Sequence, residues 1–174
     1  MDDEDEPVSF LTVKDIATKI AFERSESGIS RALRQVRHWT ESGLLRTKSK
    51  KRTGKGIPRL YEEEPTLYVA AILYELVRYR ATVLILKPVA DELYEQWNEG
   101  SLPHFATALT DINSYLQVSW AEDPETGAFH DARIATFDDL ELNSDNGTAA
   151  PFDATASSSV LINMSRVLDR ILRN

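Results

Sequence analysis

The residues best suited to chemistry in this chain are cations set close together. Arg31, Arg34, Gln35, Arg37 and His38 fall within eight positions, at spacings that put several of them on one side of a helix. A guanidinium is a planar fork of donors that can chelate a phosphate or the O6/N7 edge of guanine, and a glutamine amide can pair with the N6/N7 edge of adenine. A second group follows directly. Arg46, Lys48, Lys50, Lys51, Arg52, Lys55 and Arg59 crowd around Gly54, Gly56 and Pro58. Lysines carried on a glycine-containing loop are point charges suited to phosphates rather than to base edges.

Other chemistries find little footing. The chain has no cysteine, which removes disulfides, thiolate metal sites and cysteine nucleophiles. His38, His104 and His130 stand far apart and lack carboxylates at metal-ligand spacing. Gly54-Lys55-Gly56 lies in a basic loop without the strand-to-helix setting of a phosphate-binding loop. Asp138, Asp139 and Glu141 read most simply as a solvated acidic face, and no nucleophile has a base beside it. The expectation is therefore a protein that is not an enzyme and needs no metal or cofactor.

Charge is divided unevenly. Over residues 11 to 61 there are thirteen Lys/Arg and four Asp/Glu, a surplus of nine positive charges, whereas the whole chain carries −8 and the remainder therefore −17. Such a split suits separate jobs: one half can neutralise phosphates, and the other repels them and restricts which surface faces them. No stretch reaches the roughly 18 apolar residues a membrane span needs. Met1-Asp2-Asp3-Glu4-Asp5-Glu6 is too acidic to open a signal peptide. A soluble, cytoplasmic protein with no membrane contact is expected, its residues 1 to 9 forming a disordered acidic tail.

The elements that must hold the cations can be read from periodicity. Thr12 and Asp15 form a capping box for a first helix over about 13 to 21, with Val13, Ile16, Ala17 and Ile20 at helical spacing. A second helix is placed at about 28 to 41, capped by Ser27, with Ile29, Leu33, Val36 and Trp39 along its core stripe. Gly43 stands where a helix end favours positive φ, and Leu44 and Leu45 return to the core. The basic loop closes at Arg59-Leu60-Tyr61. A third helix follows at about 66 to 80, and a fourth, opened by Pro88, at about 88 to 99, ending at Gly100. The run Val83 to Leu86 between them is left open, and residues 102 to 115 suit a helix or a strand. Leu116, Val118 and Trp120 alternate with polar residues, Asp123 to Gly127 is a turn signal, and 129 to 137 suits a returning strand, so a β-hairpin is expected. Its apolar residues, including Phe129, Ile134 and Phe137, suit plain core more than a pocket. An acidic linker over 138 to 159 leads to a terminal amphipathic helix over 158 to 173, although Val160-Leu161-Ile162 also suits a strand. Its stripe is Val160, Leu161, Met164, Val167, Leu168, Ile171 and Leu172.

Three stretches between Phe10 and Trp97 resemble the MerR-like family of winged helix-turn-helix transcription regulators. Leu11-Thr12-Val13-Lys14-Asp15-Ile16-Ala17 is similar to the opening helix, and Arg37-His38-Trp39-Thr40-Glu41-Ser42-Gly43-Leu44-Leu45 to the signature that ends in Gly-Leu-Leu. Arg59-Leu60-Tyr61 is similar to the close of the wing. The resemblance implies that Arg37, His38, Arg59 and Tyr61 hold the DNA backbone while Arg31, Arg34 and Gln35 face the major groove. Trp39 is assigned to the core. The spacing between the first helix and the signature exceeds the family norm, Ala32 replaces a polar residue, and no long dimerising helix follows Trp97.

The expected fold is α+β. A winged helix-turn-helix domain over 10 to 99 carries two further helices, and a region over 100 to 174 carries the hairpin and terminal helix. The expected function is a DNA-binding transcriptional regulator, working as a homodimer on two half-sites because one small module rarely binds tightly enough alone. The terminal stripe would then supply the dimer or partner contact, or simply pack on its own domain. The alternative is an excisionase-like architectural factor or an adaptor that docks a protein through its acidic half; about 75 residues beyond the winged helix favour the regulator.

Overall fold

The fold is that of a computed structural model and is described for residues 9–48, 58–102, 115–122, 129–136 and 158–172. The chain starts with a short strand, β1 (Phe10–Leu11), and a short helix, α1 (Val13–Ile20). Thr12 and Asp15 close the predicted capping box: Thr12 Oγ1 accepts from the Asp15 N–H at 3.3 Å, and the Asp15 carboxylate accepts from the Thr12 N–H at 2.8 Å. Ile16, Ala17 and Ile20 are buried on the helical stripe.

The second helix, α2 (Glu26–Glu41), begins earlier than its apolar pattern predicts. Ser25, not Ser27, is its cap, accepting from the Gly28 N–H at 3.1 Å. The connection from α1 is tight for a steric reason. A Cβ on Gly28 would lie 2.3 Å from the Glu23 carbonyl oxygen, so only glycine lets α2 fold back this closely. The other end matches the expectation. Gly43 has φ +72°, the Leu44 N–H donates to the Trp39 carbonyl at 2.8 Å, and the Gly43 N–H donates to the Thr40 carbonyl at 3.2 Å. This is the double hydrogen bond that closes a helix on a left-handed residue.

Strand β2 (Tyr61–Glu62) pairs antiparallel with β1, placing Leu11 opposite Tyr61. The Lys48 N–H donates to the Leu60 carbonyl at 3.0 Å, which draws the two ends of the basic loop together. The loop's Lys50, Lys51, Arg52 and Lys55 lie outside the described residues, as do the acidic residues 1 to 8.

Helix α3 (Glu63–Arg78) is buried from Pro65 to Leu76. It starts three residues before the predicted boundary, because Pro65 sits in the first turn, where a missing N–H costs no hydrogen bond. Helix α4 (Val83–Asn98) corrects the sequence reading more strongly. Val83 to Leu86 forms its first turn, and Pro88 lies inside the helix instead of opening it. Pro88 cannot donate to the Leu84 carbonyl, but Leu84 is 70% exposed, so water can take that acceptor. Gly100 follows the helix end with φ +70°.

The predicted hairpin is present as β3 (Tyr115–Glu122) and β4 (Phe129–Thr136), with the register shifted between Ser119 and Ala121. The predicted turn at 123 to 127, the residue Phe137, the open region 103 to 114 and the acidic linker at 138 to 157 lie outside the described residues. A third strand, β5 (Ser158–Asn163), pairs antiparallel with β3 and gives the order β4-β3-β5. The terminal helix, α5 (Met164–Leu172), therefore starts six residues later than predicted, capped by Asn163, which accepts from the Arg166 N–H at 3.0 Å. Val160 and Ile162 obey period two against Val118 and Leu116, so strand pairing overrides the helical reading of that stretch.

Of the two uses open to the terminal stripe, packing on the chain's own fold is the one seen. Met164, Val167, Leu168 and Ile171 are buried in the chain's own core, so they offer no face to a second copy. Only Leu161 and Leu172 of the predicted contact residues are exposed, and Val160 is half-buried. The core itself is one cluster running from Leu11 through α1, α2, α3 and α4 to Leu116, Val118 and α5. It does not part at residue 100. At a coarse level the chain is α+β, helices packed with small antiparallel sheets.

Candidate nucleic-acid interface

Helix α2 buries Gly28, Ala32, Val36 and Trp39 along one side. The opposite side follows from the 100° step per residue. Arg34 and Arg37 point away from the core, and Arg31 and His38 flank them; all four are exposed. Gln35 is half-buried at the margin. None of Arg31, Arg34, Arg37 and His38 makes an ion pair with another described residue. The helix is thus held by its apolar side and leaves three guanidinium groups and an imidazole in water, where phosphates can take them as counterions.

Beyond Gly43 the chain passes along α4 before it enters the basic loop. Arg46 lies over the Tyr94 ring at 4.5 Å and pairs with Asp91 at 3.6 Å, while its backbone N–H donates to the Tyr94 hydroxyl at 3.2 Å. Asp91 also holds Lys87. Arg46 is thereby an anchor for the base of the loop, a role its place in the charge run did not reveal. Lys48 is exposed and pairs with Glu62 at 3.0 Å. A pair so exposed is weak and screened by salt, so Lys48 remains exchangeable for another anion. Arg59 is exposed at the other end.

Tyr61 is a correction. It is fully buried, and its hydroxyl meets Thr40 Oγ1 at 2.7 Å. Thr40 Oγ1 donates in turn to the Val36 carbonyl at 2.8 Å, so the tyrosine O–H is the donor in the pair. Burial pushes the phenol above its ordinary range, opposed by its contact with Thr40 and by the charge and hydrogen bond of Arg59. Tyr61 therefore joins β2 to α2 from inside and does not face the DNA backbone; its link to Arg59 is what reaches the surface. The hydrophobic reading of Trp39 holds: it is fully buried and meets Tyr74 edge-on at 6.2 Å between ring centres.

Two features escape sequence reasoning. The first is the Arg46–Tyr94 stack, which joins residues 48 positions apart and leaves no local signal. The second is Glu75, a carboxylate within the buried run of α3. It accepts from Arg170 of α5 at 2.7 Å and from Arg78 at 3.1 Å. A lone acidic residue inside an otherwise apolar arc was a signal that could have found it. Among the described residues no group of three or more His, Cys, Asp or Glu could hold a metal ion, and no helix is long and apolar enough to cross a membrane. Compared with known protein families, with curated proteins and with solved structures, the chain matches none.

Proposed function

We propose that this chain binds double-stranded DNA as a winged helix-turn-helix transcriptional regulator, with α2 in the major groove and the basic loop over residues 46 to 61 along the phosphates. One observation carries the reading: Arg31, Arg34, Arg37 and His38 are exposed together on the outer side of a helix whose inner side is fixed in the core. Arg34 and Arg31 supply guanine-reading forks, and Gln35 an adenine-reading amide at the helix margin. Arg37, His38, Lys48 and Arg59 hold phosphates beside them, joined by Lys50, Lys51, Arg52 and Lys55. The remaining net charge of −17 on the rest of the chain keeps other surfaces off the duplex. A homodimer on two half-sites would raise the affinity of a single small module, and its contact has to come from outside the buried stripe of α5.

The experiment is binding of the purified chain to labelled duplex fragments across a salt series, with Arg34→Ala and Lys51→Ala beside the parent. Lys51→Ala is expected to weaken all sequences alike and to lower the salt slope by about one unit, whereas Arg34→Ala costs on the order of 1–3 kcal/mol on a preferred sequence only. No binding at low salt, or no effect of either change, removes the proposal.

A further inference from the structure

Helix α5 reaches past its own sheet to the connection between α1 and α2. Arg170 Nη1 is 2.7 Å from Glu75 Oε1, and its guanidinium lies 4.1 Å over the ring of Phe22, which belongs to that connection. Arg78 makes the matching pair of contacts, 3.1 Å to Glu75 Oε2 and 4.5 Å over the same ring. Phe22 also stacks on Tyr74 at 4.7 Å, and Tyr74 meets Trp39 of α2 edge-on. A continuous set of contacts thus runs from α5, through Phe22 and Tyr74, into the helix that carries the exposed cations.

The chemistry of Arg170 is costly for packing alone. Its Nε and Nη2 atoms are buried with no hydrogen-bond acceptor among the described residues, and a buried donor left unmet is destabilising. A methionine could fill such a space without that cost. What the arginine adds is direction, since one fork arm fixes Glu75 while the flat cation covers Phe22. The tight step after it, with Gly28 against the Glu23 carbonyl, leaves little slack between a displaced Phe22 and the start of α2.

We propose that Arg170 and Glu75 are positioning residues: they hold Phe22, and through it the seat of α2, so that the C-terminal sheet and α5 set the presentation of the basic face. This rests on the reading of that face as a DNA interface, but the hold itself can be tested without DNA. Any ligand or partner that shifts α5 would change DNA affinity, and DNA would change affinity for it by the same factor.

The test uses the full chain with Arg170→Met, Phe22→Leu and the double variant. Amide exchange is followed at Gly28 and Ile29, which bond to Ser25 in the first turn of α2, and across α4 as an internal reference. Each single variant is expected to speed exchange at Gly28 and Ile29 roughly tenfold while α4 is unchanged. Each should also weaken DNA binding roughly five- to tenfold, and the double variant should weaken it no further than one single variant does. Unchanged exchange at Gly28 and Ile29 in either folded variant overturns the proposal, as does an equal rise across α4, which is loss of general stability. Additive losses of affinity overturn it too. If Arg170→Met does not fold, Phe22→Leu carries the test. If the parent chain binds no DNA, the function proposed above falls, and the exchange result still decides whether α5 holds α2.

Discussion

At the scale of single residues, Gly28 is the position with least room. Gly28→Ala would force a Cβ against backbone at 2.3 Å, and crowding of this kind costs about 1–3 kcal/mol, or a drop of roughly 2–12 °C in melting temperature for a chain of this size. Thermal unfolding followed by circular dichroism checks it. Thr12 and Asp15 carry a prediction in pH. Hydrogen bonds from Thr12 hold the Asp15 carboxyl below its usual range. The folded value is the lower one, so the cap contributes stability above the unfolded carboxylate range near 4 and loses it as pH falls through the folded value. Protection of the α1 amides should decline below about pH 4 in the parent chain and already be reduced, without that step, in Asp15→Asn. Tyr61→Phe separates the two roles given to that residue. As a core tyrosine it should lose about 1 kcal/mol with its hydroxyl and leave the salt slope of DNA binding unchanged; a lowered slope would return it to the phosphates.

At the scale of elements, local rules made the start of α1 and the end of α2 legible, although the α2 cap fell to Ser25 and not to Ser27. The Thr12–Asp15 box and the glycine after α2 depend on neighbours three or four residues away, and both stand as read. The same holds for the β3–β4 hairpin, whose period-two pattern needs no distant information. The larger errors lie where tertiary contact decides. Pro88 looked like a helix start because proline favours the first turn, yet the burial of Ile85 and Leu86 extends α4 back by a turn. Val160 to Ile162 suit a strand as well as the helix expected there, and pairing with β3 selects the strand over 158 to 163. The cap at Asn163 follows from that choice. Asn163→Ala should cost about 0.5–2 kcal/mol, seen as a lowered urea midpoint; no change would mean that α5 does not depend on this cap. The candidate site divides in the same way. Exposure of Arg31, Arg34 and Arg37 followed from the stripe opposite them, whereas Tyr61 was misread because its sequence context shows a wing's end and not the interior it enters.

At the scale of the whole molecule, a basic segment and an acidic remainder are joined by one core. Because Leu116, Val118 and α5 share a cluster with α1 and α3, unfolding should be a single transition. Tryptophan fluorescence and far-ultraviolet circular dichroism should give coincident urea curves, and two separated transitions would contradict a shared core. Glu75 belongs to this scale, since it joins α3 to a residue 95 positions away. Glu75→Ala leaves Arg170 partly buried without its partner and should cost on the order of 3 kcal/mol. The central claim is that the outer side of α2 is the surface that meets DNA. The most direct measurement is an amide-resolved nuclear magnetic resonance titration of the chain with a short duplex at low salt. If α2 and the basic loop meet the duplex, shifts concentrate at residues 30 to 38 and at 46 to 60, with α4 and the three-stranded sheet little changed. Shifts centred on the sheet or α4, or none at all, would contradict that claim.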